Sequence, residues 1–176
     1  IIVTLGTKIL LEGICIRFTK GGGISNYPEE FFYLGSGTIF GIPVPFVIFA
    51  LIVIFLYILL EKTSWGTKVY FIGSNETAAN FSGINVSKIK MQVYIISSIL
   101  SAAAAIIMMS RYNSVKANLG SSYLLQSIAA SVLGGTNIAG GKGSVFGTLI
   151  AIGIIQIISS GLNILNVNRF ITDSIM

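Results

Sequence analysis

Histidine is absent from the 176-residue sequence, and Cys15 is its only cysteine. Zinc and iron sites need several imidazole, thiolate or carboxylate ligands held together, whereas the six acidic residues are dispersed along the chain. A single cysteine cannot form a disulfide within the chain, so Cys15 is predicted to pack as a small apolar residue in a helix. We therefore predict no metal site, no catalytic residue and no enzymatic activity for this chain.

Charged residues are also scarce. They make up 10% of the chain, against 53% hydrophobic residues and a mean hydropathy of +0.87, whereas about a quarter of a soluble domain is charged. The net charge of +5 does not indicate nucleic-acid binding, because the Lys and Arg residues are scattered at the ends of apolar runs. That placement is typical of residues that orient membrane helices. The composition predicts a membrane protein with membrane lipid, and not nucleic acid, as its surroundings.

A nucleotide-binding loop is missing from the one glycine-rich stretch, Gly134 to Gly143. A phosphate-binding loop of the form G-x-x-x-x-G-K-[ST] would need glycine where Thr136 stands and Ser or Thr where Gly143 follows Lys142. We therefore expect no cofactor in this chain, and any ATP must be bound by another polypeptide.

Long apolar runs dominate what is present. The run from Ile39 to Leu60 has 22 residues without a charge, about the length that crosses a ~30 Å hydrocarbon layer. The fold class is predicted to be all-α, a polytopic transmembrane helix bundle in a single domain over 1–176. Its predicted membrane segments are 1–16, 39–60, 91–109, 121–134 and 145–167.

The charges of the connecting loops predict their sides of the membrane. The stretch 61–90 carries four lysines, whereas 17–35 carries two positive and two negative residues. Because positive charge accumulates on the cytoplasmic side, we expect 61–90 to be a cytoplasmic loop.

The fourth apolar segment, 121–134, is short, because about 14 residues give only ~21 Å of helix. Two interpretations stay open. It is a broken or re-entrant helix that places irregular backbone beside a polar path, or a short tilted helix with an ordinary turn after it. Small residues four apart, as at Gly147 and Ala151, predict close contact between neighbouring helices.

The segment from Ser74 to Gly83 predicts a two-turn helix in the cytoplasmic loop. Asn75 is a good N-cap, Glu76 suits the positive end of the helix dipole, and Gly83 suits the C′ position. So short a helix is not stable alone and needs a surface on which to dock.

These motifs resemble those of a known family, the permease subunits of ribose-, galactose-, rhamnose- and autoinducer-2-type ABC importers. The resemblance runs over nearly the whole chain and is densest in Gly73-x-Asn75-Glu76-x-Ala78-Ala79-x-x-Ser82-Gly83-Ile84-Asn85-Val86. It also includes Ile42-Pro43-Val44-Pro45, Leu133-Gly134-Gly135-Thr136, Gly140-Gly141-x-Gly143 and Gly161-Leu162-Asn163.

The resemblance implies a non-enzymatic permease in the bacterial inner membrane that carries a monosaccharide or a related small polar solute. Its expected partners are ABC ATPase subunits, which bind ATP and Mg²⁺, a second permease copy and an extracytoplasmic sugar-binding protein. The resemblance also implies an ATPase-coupling helix that contains Asn75, Glu76, Ala78, Ala79, Ser82, Gly83, Ile84 and Asn85. The candidate translocation path contains Gln126, Gly134, Gly135, Thr136 and Asn137.

The sequence also departs from the family pattern. Arg is common in the family at the position of Glu12, and an acidic pair is common around Leu124 and Gln126. A branched-chain amino-acid or nucleoside ABC permease, and a non-transporting membrane scaffold, remain alternatives. Because residue 1 lies inside an apolar run and is not Met, we expect the chain to be part of a longer permease.

Overall fold

Helices form nearly all of the regular secondary structure in the computed structural model, which describes residues 2–25, 27–117, 119–121 and 123–165. Within those ranges there are eight helices: α1 (Ile2–Thr19), α2 (Glu29–Ser36), α3 (Val44–Glu61), α4 (Ser64–Ser74), α5 (Glu76–Phe81), α6 (Val86–Tyr112), α7 (Tyr123–Leu133) and α8 (Val145–Ile164). Four two-residue strands form two antiparallel pairs: β1 (Ile24–Ser25) with β4 (Ser114–Val115), and β2 (Thr38–Ile39) with β3 (Ile42–Pro43). The predicted all-α, polytopic membrane fold is confirmed.

Three of the described helices are long and apolar enough to cross a membrane. They are α3, α6 and α8, whose most apolar windows have mean hydropathies of 2.8, 2.1 and 2.0. Few residues of these windows are buried within the chain. That exposure is expected where lipid or further protein surrounds the helices.

The remaining predicted membrane segments are less simple. α1 has 18 residues but carries Lys8, Glu12 and Arg17, and it is not among the three spanning candidates. The membrane assignment of 1–16 therefore stays a prediction. Residue 1 and the last two residues of 145–167 lie outside the described residues.

α3 begins five residues later than the apolar run that starts at Ile39. The intervening residues form the β2–β3 hairpin, in which Phe40 and Gly41 have φ of +51° and +82°. Pro43 has no N–H to give to a helix, and it also disfavours helical backbone at the residue before it. Apolar composition alone could not separate this hairpin from the helix that follows.

The chain divides into two compact units, 1–50 with 97–122, and 51–96 with 123–176. In the first unit, α2 packs against the end of α6. The buried Ser110 hydroxyl donates to the carbonyl oxygen of Phe31 at 2.5 Å. Gly35 of α2 lies so close to α6 that a Cβ added to it would be 2.5 Å from the backbone nitrogen of Arg111.

The second unit contains α4, which the sequence analysis treated as part of a loop. The Thr63 hydroxyl caps this helix by accepting from the backbone N–H of Gly66 at 3.3 Å. Trp65 ties its first turn to α6, because the indole Nε1 donates to Gln92 Oε1 at 2.9 Å. The predicted cytoplasmic loop 61–90 therefore consists mainly of two short helices and the first residues of α6.

Candidate functional site

The short helix α5 is capped at both ends, as the sequence predicts. The Asn75 side-chain oxygen accepts from the backbone N–H of Ala78 at 2.9 Å. At the other end Gly83 has a φ of +77°. Its N–H donates to Asn80 O at 3.0 Å, and the N–H of Ile84 donates to Ala79 O at 3.1 Å. This pair of bonds is the Schellman arrangement, so the predicted N-cap and C′ residues are confirmed.

A small apolar core holds α5 between α4 and α6. Ile72, Ala79 and Val86 are 7%, 0% and 5% exposed and form one cluster, with Ile84 and Ile89 packed around it. Each of the three helical elements therefore supplies one of the buried residues. We call the stretch 63–92, which contains the residues predicted to couple the chain to an ATPase, the coupling module.

Polar contacts add to this packing. The Asn85 side-chain oxygen accepts from the N–H of Lys88 at 3.0 Å and so caps the start of α6. Glu76 in α5 pairs with Lys90 in α6 at 2.6 Å, but both side chains are about half exposed. An exposed ion pair contributes at most about 1 kcal/mol. The apolar cluster and the caps therefore dominate the stability of the module.

The residues of the predicted coupling helix are divided between the inside and the surface of the module. Ala79 and Ile84 pack in the core, whereas the exposed residues are Asn75, Glu76, Ser82, Gly83 and Asn85. The Ser82 hydroxyl donates to Ala78 O at 2.9 Å. The outer surface of α5 also presents Phe81, which is 88% exposed. Phe81 is not among the site residues predicted from the sequence. The feature of the sequence that could have identified it is an aromatic residue on a short helix whose buried positions hold small residues.

A second feature is the hairpin of α7 and α8, which pack through small residues. Ala130 and Ala151 are buried. A Cβ added at Gly134 would lie 2.5 Å from the Cα of Thr148, and one added at Gly147 would overlap Gly134 O. The predicted close contact at Gly147 and Ala151 is confirmed, and it lies between α7 and α8.

The turn between these helices is organised by Asn137. Its side-chain oxygen accepts from the N–H of Ala139, and its own N–H donates to Lys142 O, both at 3.0 Å. Gly140 and Gly141 have φ of +91° and +79°. Among the predicted path residues, Asn137 therefore shapes the turn, and Gly134 lies in the helix contact. Gly135, at a φ of +91°, begins the turn.

The turn is in backbone contact with the coupling module. A Cβ added at Gly73 would lie 2.7 Å from Gly141 N, and one added at Gly141 would lie 2.9 Å from the Cα of Ser74. A Cβ added at Gly140 would overlap the carbonyl oxygen of Gly73. Such distances are well inside ordinary carbon contacts, so a side chain at Gly73, Gly140 or Gly141 would overlap the opposite segment.

Tyr70 extends this contact. Its ring carbon Cε1 lies 3.6 Å from the position of a Cβ on Gly143. Burial, and to a lesser degree the nearby carboxylate of Glu61, raise the pKa of the Tyr70 phenol above its ordinary 10.0. The phenol therefore stays neutral at physiological pH.

Gln126, another predicted path residue, lines a groove of about 350 Å³ between α7 and α8. Hydroxyl and amide groups of both helices share this groove with apolar side chains. The residues that line it are Tyr123, Gln126, Ser127, Ala130, Ser131, Thr148, Ile152, Ile155 and Gln156. Thr136 and Asn137 line a second groove of about 350 Å³, on which Ser127 and Ser131 also lie. The predicted path does not include three of the polar residues that line the first groove, Gln156, Ser131 and Thr148.

Comparison with known proteins identifies the family. A family model described as "Branched-chain amino acid transport system / permease component" matches residues 1–176. The chain is 42% identical over 173 residues to the ribose import permease protein RbsC of Bacillus subtilis, a match that covers 96% of this chain and 53% of that protein. It is 38% identical to the ribose import permease protein RbsC of Escherichia coli, over 96% of this chain and 54% of that protein.

A further relative is the autoinducer 2 import system permease protein LsrD of Yersinia pseudotuberculosis. It is 33% identical over 181 residues, which cover 99% of this chain and 54% of that protein. The chain thus spans about half the length of the curated relatives it matches. No solved structure matches.

The three apolar helices of spanning length and the match to permeases place the protein in the cell inner membrane as a multi-pass protein. The chain belongs to the family of permease components of branched-chain amino acid transport systems, and its curated relatives include ribose and autoinducer-2 import permeases.

Proposed function

We propose that this chain belongs to the membrane subunit of an ATP-binding cassette importer for a monosaccharide or a related small polar solute. The observation that carries the proposal is the coupling module, in a chain whose relatives are ribose and autoinducer-2 import permeases. A capped, packed helix with an exposed aromatic residue is suited to fit a groove on another protein.

The energy source is a separate ATPase in this proposal. The loop 61–90, which contains most of the module, carries Lys62, Lys68, Lys88 and Lys90, so the positive-inside rule favours the cytoplasmic face, where ATP is available. A second permease copy would complete the pore, and an extracytoplasmic binding protein would deliver the solute. ATP-driven movement of the ATPases would push α5 and expose the path alternately to each side.

A second candidate is a branched-chain amino-acid permease, which the description of the family model favours. The solutes of the two candidate permeases differ in the polar groups that the path must bind. A sugar presents hydroxyl groups, whereas an amino acid presents a carboxylate and an ammonium group. The α7–α8 groove has hydroxyl and amide groups and no charged residue among those that line it, which favours the sugar.

The coupling role is tested by Gly83→Pro in the full-length permease. Proline fixes φ near −65°, whereas Gly83 has +77°, and it removes the N–H that bonds to Asn80. We expect the amount of ATPase that co-purifies with the permease to fall at least about tenfold, because the cost is on the order of 3 kcal/mol.

Gly83→Asn is the matched control, because asparagine tolerates left-handed backbone. It should co-purify with ATPase nearly as wild type does. Equal ATPase recovery with Gly83→Pro and wild type would refute the coupling role and would favour a non-transporting scaffold.

The groove between α7 and α8 is the proposed solute path. The hydroxyls of Ser127, Ser131 and Thr148 donate to carbonyl oxygens of their own helices at 2.8–3.0 Å. Their oxygens therefore remain available as acceptors for the hydroxyl groups of a sugar. The amide of Gln156 can both donate and accept, so it can bind two neighbouring hydroxyls.

Gln156→Leu tests this path. Leucine has a similar size but cannot hydrogen-bond, so at least one neutral bond to the solute is lost, at about 0.5–1.5 kcal/mol each. Uptake into vesicles at a limiting amount of loaded binding protein should fall at least roughly twofold. ATPase co-purification should not change. Ile157→Leu, at a 74% exposed site on the same helix outside the groove lining, is the control. Uptake equal to wild type in Gln156→Leu would exclude Gln156 from the path.

A further inference from the structure

We infer that Gly73, Gly140 and Gly141 are positioning residues that join the coupling module to the α7–α8 hairpin, so that the two move as one body during transport. This inference rests on the proposed function. It concerns how movement at α5 reaches the solute path.

The first step is the rigid join between α5 and α4. Asn75 is at once the C-cap of α4, where its N–H donates to Phe71 O at 3.0 Å, and the N-cap of α5. One residue therefore separates the two helices. The cluster of Ile72, Ala79 and Val86 holds their faces together. A displacement of α5 must carry the C-terminal end of α4 with it.

The second step is the contact between that end of α4 and the turn. Gly73 and Ser74 meet Gly140 and Gly141 backbone to backbone, at distances that leave no room for a Cβ on Gly73 or Gly141. A backbone contact has no side-chain rotamer that could absorb a shift. Displacement on one side is therefore passed on to the other.

The third step leads from the turn into both helices of the hairpin. The N–H of Thr136 donates to Ser131 O at 3.0 Å, which joins the turn to α7. The Ser144 hydroxyl accepts from Gly147 N–H at 3.1 Å, which caps α8 where the turn ends. Ser131 and Thr148, which line the groove, lie within one turn of these bonds. The contact thus connects a site of ATPase docking with the walls of the proposed path.

Gly73→Ala tests the inference in the complete transporter, reconstituted with its ATPase and binding protein. Alanine favours the α4 helix itself, so α5 stays capped and packed, and ATPase co-purification should be retained. Its Cβ, however, forces α4 away from Gly141. We expect the amount of solute imported per ATP hydrolysed to fall roughly twofold to thirtyfold. Gly153→Ala is the control, because no described atom lies within 4 Å of a Cβ there.

Three results are decisive for this variant. A lower import per ATP with ATPase docking intact supports the inference. An unchanged ratio overturns it, and so does a loss of docking, because the contact would then serve only to hold the module together. The proposed function fails separately, in the result for Gly83→Pro.

Discussion

Gly147→Val is expected to separate α7 from α8 and to abolish transport. A Cβ on Gly147 would overlap the carbonyl oxygen of Gly134 and lie 3.4 Å from the Cβ of Ser144. Overpacking a core costs about 1–3 kcal/mol, and the cost is higher here because the obstacle is backbone that cannot change rotamer. The purified permease should melt at a clearly lower temperature than wild type and should import no solute in vesicles.

Gly153→Val is the matched control for this prediction. It places the same β-branched side chain on the same helix, at a position where no described atom lies within 4 Å of the added Cβ. Its melting temperature and transport should remain near wild type. Equal effects of the two substitutions would show that valine harms α8 in general and that the Gly134–Gly147 contact is not what holds the hairpin together.

Local chemistry explains which features the sequence could predict. The caps of α5 were predictable because Asn75 and Gly83 act on backbone groups within a few positions of themselves. Long apolar helices such as α3 were predictable because a spanning helix needs a continuous run of apolar residues. In both cases the cause lies inside the segment that it shapes.

Features that depend on partners elsewhere in the chain were not predictable. The loop sequence after Thr63 has no long apolar run, so α4 was not predicted, although its N-cap is local. The contact of Gly73 with Gly140 and Gly141 joins residues that are far apart in the sequence. The glycine motifs were visible, but nothing in them indicated which backbones would meet. The groove residue Gln156 was missed for the same reason, since it shares a surface with α7 only after the hairpin has formed.

The distribution of glycine and alanine in the second unit suggests one organising requirement. In lipid, apolar burial does not drive helices together, so close backbone approach provides much of the attraction. Small residues stand where the elements meet, at Ala79 in the module and at Gly134 with Gly147 in the hairpin. Larger apolar residues face outward, where lipid or other subunits can cover them.

Phe81 differs from the outward-facing residues of the apolar helices, because this large apolar side chain, 88% exposed, lies on a helix proposed to be in the cytoplasm, where lipid cannot cover it. While the Phe81 ring is exposed, it contributes no free energy of burial to the permease alone. Burial of a phenylalanine in a partner's groove stabilises a complex by about 2 kcal/mol, as a residue at the centre of an interface does. We therefore expect Phe81→Ala to weaken ATPase binding roughly 30-fold. The melting temperature of the permease alone should not change.

The measurement is the affinity of purified full-length permease for its ATPase, determined for wild type, Phe81→Ala and Phe81→Leu. Leucine restores an apolar side chain of nearly sufficient size, so Phe81→Leu should recover most of the affinity. Wild-type affinity in Phe81→Ala would show that the ATPase does not contact this face of α5. A lowered melting temperature in Phe81→Ala would show that the ring packs within the permease itself. Because α5 has small residues on its buried face, a loss of affinity that leaves the melting temperature unchanged can arise only from the outer face, where Phe81 lies.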